Sequence, residues 1–435
     1  MSKFIIEGGH RLQGTITASG NKNAALKLLP ACLLTDEPVT LHNIPDIQDV
    51  RTTLAILQDL GVAVTPLGSG SWHVHAQNVN KTELNRDLAA RTRASFVFSG
   101  PMLARMGHVE LPVPGGDVIG GRPLDTHIQS LAALGVQVDT SQRGLFRMNA
   151  DPIKAGGYVL LAEASVTATE NVIMTAVLAP GQTVIDNAAS EPHVRDLCYF
   201  LSQMGAKIEG IGSNHLTIEG VARLGGTEYT IGADFMEVGS FIGAAAVTGG
   251  EIRIKHADPQ YLGMIRLVYQ KLGVHWLVEG QDVIVPAGQE MCIQKALGGR
   301  VPEIKPMPWP GFPPDLMSIL VVIATQAQGT VLLHDWMYES RFFFVDHLSF
   351  MGASIVLCDP HRVLINGRSP LFANSHGVPS PDIRAGMAML LAALCAEGTT
   401  TINNIQQIDR GYENIEHKLR SLGANIKRQN GKPSE

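Results

Sequence analysis

The chain has 435 residues, of which 45% are hydrophobic and 17% charged, and its formal net charge is −6 at pH 7. This composition is too apolar for a disordered protein, and the negative charge argues against a general binder of nucleic acid or anionic membranes. Because a single hydrophobic core stops growing well below this length, we expect two domains.

In chain order, two short strand-like segments, residues 4–7 and 15–17, precede a unit that is repeated six times. Each unit begins with a very apolar helix, continues through a turn into a strand, and then forms an amphipathic helix. The apolar segments are NAALKLLPACLL, RASFVFSGPMLA, ENVIMTAVLA, VGSFIGAAAV, DLMSILVVIATQA and RAGMAMLLAALCA, and the strands are PVTLHN, GHVELP, QTVIDN, GEIRIKH, GTVLLHD and GTTTINN. Helices that are apolar on all sides must be buried, so we expect these six inside the protein, and the first strands to pair with the C-terminal half.

Each amphipathic helix ends in a Leu/Met-Gly-Val/Ala element, where glycine suits the left-handed position that follows a helix. The glycines are Gly61, Gly135, Gly205, Gly273, Gly352 and Gly423, at intervals of 68 to 79 residues. A fixed period indicates a repeated supersecondary unit. The pattern predicts an α/β protein of six βαβαββ-type repeats in two lobes of three units. Residues 22–232 would form the N-terminal lobe, and residues 1–21 with 233–435 the C-terminal lobe.

The apolar helices begin with unexpected polar residues, namely Lys22 and Asn23, Arg93, Glu170 and Asn171, Glu237, Asp315, and Arg384. Helix N-termini favour anions, so we interpret Glu170 and Glu237 as first-turn or capping residues. The cations are unfavourable there unless an anion joins them. They predict a site for a multiply charged anion in the cleft between the lobes.

The second unit has a surplus of four residues in the segment VPGGDVIGGRP, residues 113–123. Four glycines surround one carboxylate, Asp117, and one guanidinium, Arg122. This composition predicts a flexible loop over the anion site that can bring backbone close to a ligand.

Seven ordered motifs resemble the UDP-N-acetylglucosamine enolpyruvyl transferases, and the resemblance runs nearly end to end. The motifs are SGNKNAALKLLPACLL, TRASFVFSGPMLARMG, PGGDVIGGRPLDTH, PWPGFPPDL, ESRFFFVDHL, PDIRAGMAMLLAALCAEGTT and IDRGYENIEHKLRSLGANI. The resemblance implies an inside-out α/β barrel fold with two lobes that close on substrate. It also implies transfer of the enolpyruvyl group of phosphoenolpyruvate to the 3-hydroxyl of the amino sugar with release of phosphate, the first committed step of peptidoglycan precursor synthesis.

By motif position, the resemblance implies a phosphoenolpyruvate site of Lys22, Asn23, Arg122, Arg384 and Arg410. It implies a UDP-sugar site of Asn23, Arg93, Arg122, Pro123, Leu124, Asp125, Thr126, His127, Glu163, Ala164, Ser165, Val166, Asp315 and Met337. Asp315 would lie by the attacking hydroxyl as base or orienting acceptor, and Arg341 with Arg384 would help to close the lobes or hold phosphate. Lys22, Asp117, Arg122 and Asp315 form the implied catalytic set. We expect no cofactor and no metal, because arginines supply the charge and the histidines lack ligand spacing.

The loop departs from the family at Asp117, where most relatives carry cysteine. A carboxylic acid can deliver a proton to the methylene carbon as a thiol does, so we expect Asp117 to be the general acid. Neighbouring Arg122 and Lys22 favour its carboxylate, whereas bound anionic substrates favour the acid. The absence of the thiolate predicts insensitivity to fosfomycin, whose epoxide alkylates it.

Three further departures concern the acceptor. Thr167 stands where glycine is common, Glu163 where some relatives have lysine, and Pro314 where threonine is usual. Transfer to another nucleotide or UDP-sugar therefore stays open, as does a catalytically silent UDP-sugar-binding paralogue. Shikimate 3-phosphate is disfavoured by the Lys22-Asn23 pair, and RNA 3′-phosphate cyclase activity by the glycine-rich loop.

No apolar run is long enough to span a bilayer, and the five cysteines are scattered without a CxxC pair. We therefore expect a soluble cytoplasmic protein with reduced thiols. Its partners would be the two small-molecule substrates, without nucleic acid or membrane, in a monomer or weak homo-oligomer.

Overall fold

A computed structural model of the chain describes residues 2–116, 120–121, 123–150, 153, 156–374 and 376–430. The described residues divide into two compact units, and the chain passes between them after Ser19 and after Gly232. The segment between these points is called the N-terminal unit. The remainder, together with Gly120 and Gly121, is called the C-terminal unit.

Both units are built from helices and short strands. The α-helices in the described residues are α1 (Lys22–Ala31), α2 (Gln48–Asp59), α3 (Arg86–Ala89), α4 (Ser99–Met106), α5 (Asp125–Ala133), α6 (Val166–Ala176), α7 (Pro192–Gln203), α8 (Phe235–Thr248), α9 (Gly263–Gln270), α10 (Met317–Gln326), α11 (Val345–Phe350), α12 (Ile383–Cys395), α13 (Gln406–Asp409) and α14 (Ile415–Ser421). The strands are β1 (Lys3–Glu7), β2 (Gln13–Thr17), β3 (Pro38–His42), β4 (Ala63–Gly68), β5 (Ser71–His75), β6 (His108–Pro112), β7 (Gln137–Asp139), β8 (Leu145–Asn149), β9 (Gly157–Leu160), β10 (Gln182–Asp186), β11 (Lys207–Glu209), β12 (His215–Glu219), β13 (Thr227–Thr230), β14 (Glu251–Lys255), β15 (Leu277–Glu279), β16 (Asp282–Val285), β17 (Glu303–Ile304), β18 (Gly329–His334), β19 (Ile355–Asp359), β20 (Arg362–Gly367), β21 (Val378–Pro379), β22 (Thr399–Asn403) and β23 (Asn425–Gln429).

Three of the six apolar helices lie in the core of each unit, as the sequence predicts. The N-terminal unit contains α1, α4 and α6, and the C-terminal unit contains α8, α10 and α12. Helix α12 is buried from Ile383 through Leu394, and α10 packs against both α8 and α12. Complete burial of each Leu or Ile side chain contributes roughly 1.5–3 kcal/mol, so these helices stabilise each unit from within.

Two of the apolar segments differ from the expected single helices. In the second segment, the 3-10 helix Arg93–Phe98 comes first, and α4 starts anew at Ser99 with Pro101 in its first turn. Proline lacks an amide hydrogen and is tolerated only near a helix start, which accounts for the break. Helix α6 begins at Val166, earlier than predicted, because Ser165 is the extended residue before it.

The six repeated glycines all have positive φ, from +81° at Gly273 to +105° at Gly205. Each follows one of the amphipathic helices α2, α5, α7, α9, α11 and α14. A left-handed residue at this position satisfies the last carbonyls of a helix, and glycine adopts it without steric cost. The predicted role of the repeated glycine is therefore confirmed.

Five of the six sheets are mixed, with antiparallel central strands and a parallel strand at one edge, whereas the sheet β6-β8-β7 is antiparallel throughout. The sheet orders are β13-β3-β5-β4, β6-β8-β7, β11-β12-β10-β9, β15-β16-β14-β2, β17-β18-β20-β19 and β21-β22-β1-β23. Strand β2 pairs in parallel with β14. Strand β1 lies between β22 and β23, with Lys3 opposite both Asn403 and Gln429. The predicted pairing of the first strands with the C-terminal half is confirmed.

Within the described part of the chain, no helix is long and apolar enough to cross a membrane. All five cysteines are free, and burial raises the pKa of both Cys198 and Cys395 to about 12. The same described ranges hold no group of three or more His, Cys, Asp or Glu residues suited to a metal ion.

Candidate active site

Lys22 is the first residue of α1, and its ammonium has a protein carboxylate beside it. Its Nζ lies 2.9 Å from Oδ2 of Asp49, in the first turn of α2, and both side chains are buried. The side chain of Asn21 caps α1 by accepting a hydrogen bond from the amide of Ala24. Asp49 therefore offsets the unfavourable interaction between the Lys22 cation and the positive end of α1.

A second buried ion pair lies one helical turn further along α1. Lys27 Nζ donates to the carbonyl of Asn23 at 3.2 Å and lies 3.3 Å from Oε2 of Glu170. Glu170 is completely buried and lies beyond the first turn of α6, which holds no acidic residue. The interpretation of Glu170 as a first-turn or capping residue is therefore wrong, because α6 begins at Val166.

Arg93 opens the 3-10 helix Arg93–Phe98 and is half-buried. The glycine-rich segment passes directly over this turn. The amide of Gly115 donates to the carbonyl of Ala89 at 3.2 Å, and a Cβ at Gly115 would clash with the carbonyl of Ala90. A Cβ at Gly116 would lie 3.0 Å from Cβ of Arg93. These glycines thus permit close approach to the chain's own backbone.

Further along the glycine-rich segment, Gly121 donates its amide hydrogen to Oε2 of Glu339 at 3.1 Å, within the C-terminal unit. The two loop residues predicted to act in catalysis, Asp117 and Arg122, lie outside the described residues. Their roles stay predictions.

The starts of α5 and α6 meet through two side-chain hydrogen bonds. Thr126 Oγ1 donates to Oε1 of Glu163 at 3.2 Å, and Nε2 of His127 lies 2.7 Å from Oγ1 of Thr167. The ring of Phe96 meets the buried His127 ring edge-on at 5.2 Å. Residues assigned to the UDP-sugar on two different motifs are thus brought together.

Thr167 and Glu163 are two of the departures from the family pattern, and both are partners in these contacts. The remaining residues of the group lie at the same helix starts, exposed or half-buried. They are Pro123, Leu124 and Asp125 before and in α5, and Ala164, Ser165 and Val166 before and in α6.

In the C-terminal unit, Asp315 is held by two arginines. Its Oδ2 lies 3.0 Å from Nε of Arg384, and its Oδ1 lies 3.3 Å from Nη2 of Arg341. The arginine side chains are 6% and 1% exposed, whereas 31% of the Asp315 side chain is exposed. Two guanidinium groups favour the ionised carboxylate and fix its orientation.

Arg384 is anchored on the side away from Asp315 by the core. Its backbone amide donates to the side chain of Asp382, the N-cap of α12, at 2.8 Å. Its Nη1 donates to the hydroxyl of Tyr412 at 3.1 Å, and this hydroxyl lies 2.9 Å from Oγ of Ser240. The guanidinium therefore has little freedom to turn.

Arg341 lies between two carboxylates. Its Nε is 3.5 Å from Oδ2 of Asp335, which is completely buried, and its guanidinium stacks on Tyr338 at 5.0 Å. Burial raises the pKa of Asp335, against the opposing effect of Arg341. The amide of the half-buried Met337 donates to Oδ1 of Asp335 at 3.0 Å, so Asp335 holds both the arginine and the adjacent turn.

Two other predicted residues occupy different surroundings in the C-terminal unit. Arg410 directly follows α13 and donates to Oε1 of Gln407 at 3.0 Å.

Glu237, in the first turn of α8, is buried, and its Oε1 accepts from Lys418 at 2.7 Å. Burial raises the pKa of Glu237, although Lys418 opposes the shift. Glu237 is thus a first-turn residue, as interpreted, whose carboxylate is ion-paired, while Asp234 caps the helix.

Lys22 and Arg384, two cations from which the sequence predicts an anion site, each have a protein carboxylate beside them. Asp49 accompanies Lys22, and Asp315 accompanies Arg384. Sequence reasoning missed Asp49, Asp335 and Tyr412, and no local pattern marks Asp335 or Tyr412 as partners of the arginines. A weak signal existed for Asp49, since an acidic residue in the first turn of a predicted helix could have been paired with Lys22.

Comparisons with known proteins agree along the whole chain. Residues 6–419 match the family described as EPSP synthase (3-phosphoshikimate 1-carboxyvinyltransferase). The chain is 53% identical, over 98% of both chains, to the UDP-N-acetylglucosamine 1-carboxyvinyltransferase of Bradyrhizobium diazoefficiens. It is 51% identical to the protein of that name from Treponema denticola, over 98% of this chain and 99% of the relative.

Solved structures with low sequence identity show the same fold. The enolpyruvyl transferase NikO from Streptomyces tendae superposes with a TM-score of 0.87 at 22% identity, over 99% of both chains. EPSP synthase from Acinetobacter baumannii superposes with a TM-score of 0.74 at 17% identity, over 99% of this chain and 100% of that one. The predicted inside-out α/β barrel fold of the enolpyruvyl transferases is therefore confirmed.

Proposed function

Because the chain belongs to the family of the UDP-N-acetylglucosamine 1-carboxyvinyltransferases, we propose that it transfers an enolpyruvyl group to UDP-N-acetylglucosamine. The donor is phosphoenolpyruvate, the acceptor is the 3-hydroxyl of the sugar, and phosphate is released. This reaction commits the sugar nucleotide to peptidoglycan synthesis. We place it in the cytoplasm, as the sequence composition predicts.

Asp315 is the observation within the molecule that carries the proposal. Its carboxylate is partly exposed, while the two arginines that hold it are buried. A carboxylate fixed in this way can accept a hydrogen bond from a sugar hydroxyl and align the oxygen for attack. Since two guanidinium groups stabilise its charged form, Asp315 serves better as an orienting acceptor than as a strong base.

The chemistry adds one proton to the methylene carbon and later removes one from it, while the proton lost by the hydroxyl is balanced by one taken up by the departing phosphate. The sugar oxygen forms a bond to C2 of the enolpyruvyl group, the hydroxyl proton is lost, and the methylene carbon gains a proton. The bond between C2 and the phosphate oxygen then breaks, phosphate leaves, and the methyl carbon returns a proton to restore the double bond. In our proposal Asp117 supplies the proton to carbon.

Phosphoenolpyruvate carries its charge on a carboxylate and a phosphate, and we assign these groups to Lys22, Arg122, Arg384 and Arg410, with Asn23 beside them. Planar guanidinium groups suit both anions, and the lysine adds a point charge. The buried setting of Lys22 and Arg384 supports this assignment, because low solvent exposure strengthens their attraction for an anion.

The contacts between α5 and α6 support the assignment of the residues at these two helix starts to the sugar nucleotide. Thr126, His127, Glu163 and Thr167 fix the two helix starts against each other. Helix starts present free amide groups that bind phosphate, which suits a diphosphate. Arg93 would add a positive charge beside the diphosphate. We assign Met337 to the same sugar nucleotide.

A phosphate-release assay with phosphoenolpyruvate and a panel of acceptors tests the proposal. The panel contains UDP-N-acetylglucosamine, other UDP-sugars, shikimate 3-phosphate and UMP. We expect release with UDP-N-acetylglucosamine, and a loss of kcat of about 100-fold in Asp315→Asn. Release with another acceptor alone would move the assignment to that acceptor, and release with none would favour a silent UDP-sugar-binding paralogue.

A further inference from the structure

The ammonium of Lys27 connects two helices inside the N-terminal unit. Its Nζ donates to the carbonyl of Asn23 in α1 at 3.2 Å and lies 3.3 Å from the carboxylate of Glu170 in α6. The side chains of Lys27 and Glu170 are 5% and 0% exposed. The two helices also share neighbours, since each packs against α7 and the 3-10 helix Arg93–Phe98.

This ion pair lies one helical turn below both helix starts that we assign to the substrates. Asn23 precedes Lys27 by four residues, and Val166 precedes Glu170 by four residues, which is about one turn in each helix. The segment from Glu163 to Val166 and the residue Asn23 both belong to the proposed UDP-sugar site. A movement of α1 relative to α6 would therefore change the distance between the two parts of that site.

Stability alone does not account for a buried lysine and glutamate in this place. Removing two charges from water costs several kcal/mol each, and well-packed apolar pairs are often as stable or more so. The neighbouring helices α4 and α6 pack through apolar side chains and through hydrogen bonds of the buried Asn171 and Thr175, whose side chains are uncharged. A buried pair retained among them is better explained by the geometry that it enforces.

We propose that Lys27 and Glu170 are positioning residues that hold the start of α1 in register with the start of α6, and thereby set the affinity for the sugar nucleotide. They touch no substrate and act through Asn23 and the turn before α6. The inference rests on the proposed function, because the residues that it positions are assigned to UDP-N-acetylglucosamine there.

The protonation of Glu170 gives the pair a dependence on pH. Burial raises the pKa of Glu170 to about 7, against the opposing effect of Lys27 and with a further rise from Glu191. The ion pair is complete above this pH and is weakened below it. The ionisable residues on the elements packed against α6, including the turn before α7, are Arg93, Arg105, Asp125, His127, Glu191, His193, Arg195, Asp196, Cys198, Tyr199, His215 and Glu219, and those on α1 are Lys22 and Lys27.

The test measures the Kd of UDP-N-acetylglucosamine by calorimetry at pH 8 and pH 6 in the full chain. Glu170→Gln removes the charge but keeps the shape, so its Kd should be about fivefold above wild type at pH 8. The ratio between variant and wild type should fall toward one at pH 6, where the wild-type carboxyl is protonated. Comparing ratios cancels the titration of other groups.

A double variant, Lys27→Met with Glu170→Met, separates positioning from stability and serves where the single variant folds poorly. Its apolar pair should preserve folding but reproduce the weaker binding at pH 8. Glu416→Gln is the matched control, since it removes a buried carboxylate that pairs with Arg428 in the C-terminal unit, and its Kd should equal wild type.

A wild-type Kd in the double variant at pH 8, or a Glu170→Gln ratio of one at that pH, would overturn the inference. The proposed function is tested separately by phosphate release from the wild-type protein. Loss of that activity with every acceptor would leave the binding measurement intact, so the two failures are distinguishable.

Discussion

The Oδ2 atom of Asp49 lies 2.9 Å from the ammonium of Lys22, so the first residue of α1 meets a carboxylate from the first turn of α2. Both side chains are buried, and both helix starts are thereby coupled. The pair places a negative charge beside a lysine that we assign to an anionic substrate. A bound phosphate group would share this lysine with Asp49.

Asp49→Asn should lower the free energy of unfolding by about 3 kcal/mol, because it removes a negative charge next to a buried ammonium. Phosphoenolpyruvate would supply negative charge in its place. We therefore expect phosphoenolpyruvate to raise the Tm of Asp49→Asn more than that of wild type. Asp46→Asn, which removes an exposed partner of Arg51, is the control, and equal shifts in all three proteins would contradict this prediction.

Thr167→Val should weaken binding of UDP-N-acetylglucosamine about fivefold, because it removes the hydroxyl that lies 2.7 Å from Nε2 of the buried His127. Thr167→Ser retains the hydroxyl and should bind nearly as wild type. Titration calorimetry of the three proteins compares them directly. An unchanged Kd in Thr167→Val would show that the hydrogen bond between Thr167 and His127 does not contribute to binding of the acceptor.

The stability of the protein should depend on Glu170 between pH 5 and pH 8. Its pKa is raised from 4.5 to about 7 in the folded state, so folding favours the protonated carboxyl. That contribution is fully present below the unfolded pKa and is lost as pH rises through the folded one. Relative to Glu170→Gln, wild type should lose about 3 kcal/mol of unfolding free energy over this range. Urea titrations measure the unfolding free energy of both proteins. A difference between wild type and Glu170→Gln that stays constant from pH 5 to pH 8 would rule this out.

Asp117→Asn should abolish turnover while leaving the binding of UDP-N-acetylglucosamine intact, because an amide cannot deliver the proton to the methylene carbon. Near-normal activity in this variant would refute the role of Asp117 as general acid.

Wild-type enzyme should resist fosfomycin, whereas Asp117→Cys should retain activity and be inactivated by it, since a thiolate opens the epoxide. Mass spectrometry of the labelled protein measures the adduct. Stoichiometric labelling of wild type at Asp117 would show the prediction of resistance to be wrong.

Gly115→Ala should reduce kcat/KM at least tenfold, because a Cβ there clashes with the carbonyl of Ala90 and must displace the base of the glycine-rich segment. Gly263→Ala is a suitable control, as nothing lies within 4 Å of a Cβ at that position. Steady-state kinetics with both substrates would detect the difference. Equal activity of the two variants would show that the close backbone approach at Gly115 is not required for catalysis.

Periodic and local features of the sequence predicted most of the fold. The six strands after the apolar helices and the positive φ of the six glycines follow from hydrophobic pattern and from the steric freedom of glycine. The break before Ser99 could have been anticipated from Pro101, because proline prefers the first turn of a helix.

The polar contacts inside each unit could not be predicted in the same way. Lys27 and Glu170 are separated by 143 residues, and Asp315 and Arg384 by 69, so their pairing depends on how helices pack. A sequence shows that a charge lies on an apolar helix, but not which distant charge it meets. The helix-start pattern marked Asp315 and Arg384 and the resemblance gave them roles, whereas Asp49 and Asp335 needed the structure.

Strand β1 lies between β22 and β23, so the first and last described strands complete the same sheet. Lys3 is directly opposite Gln429, and the two ends of the fold are therefore neighbours. A short peptide could join the segment before β1 to the segment after β23, and the chain could be opened in the turn between β4 and β5. The resulting circular permutant would keep every strand pairing.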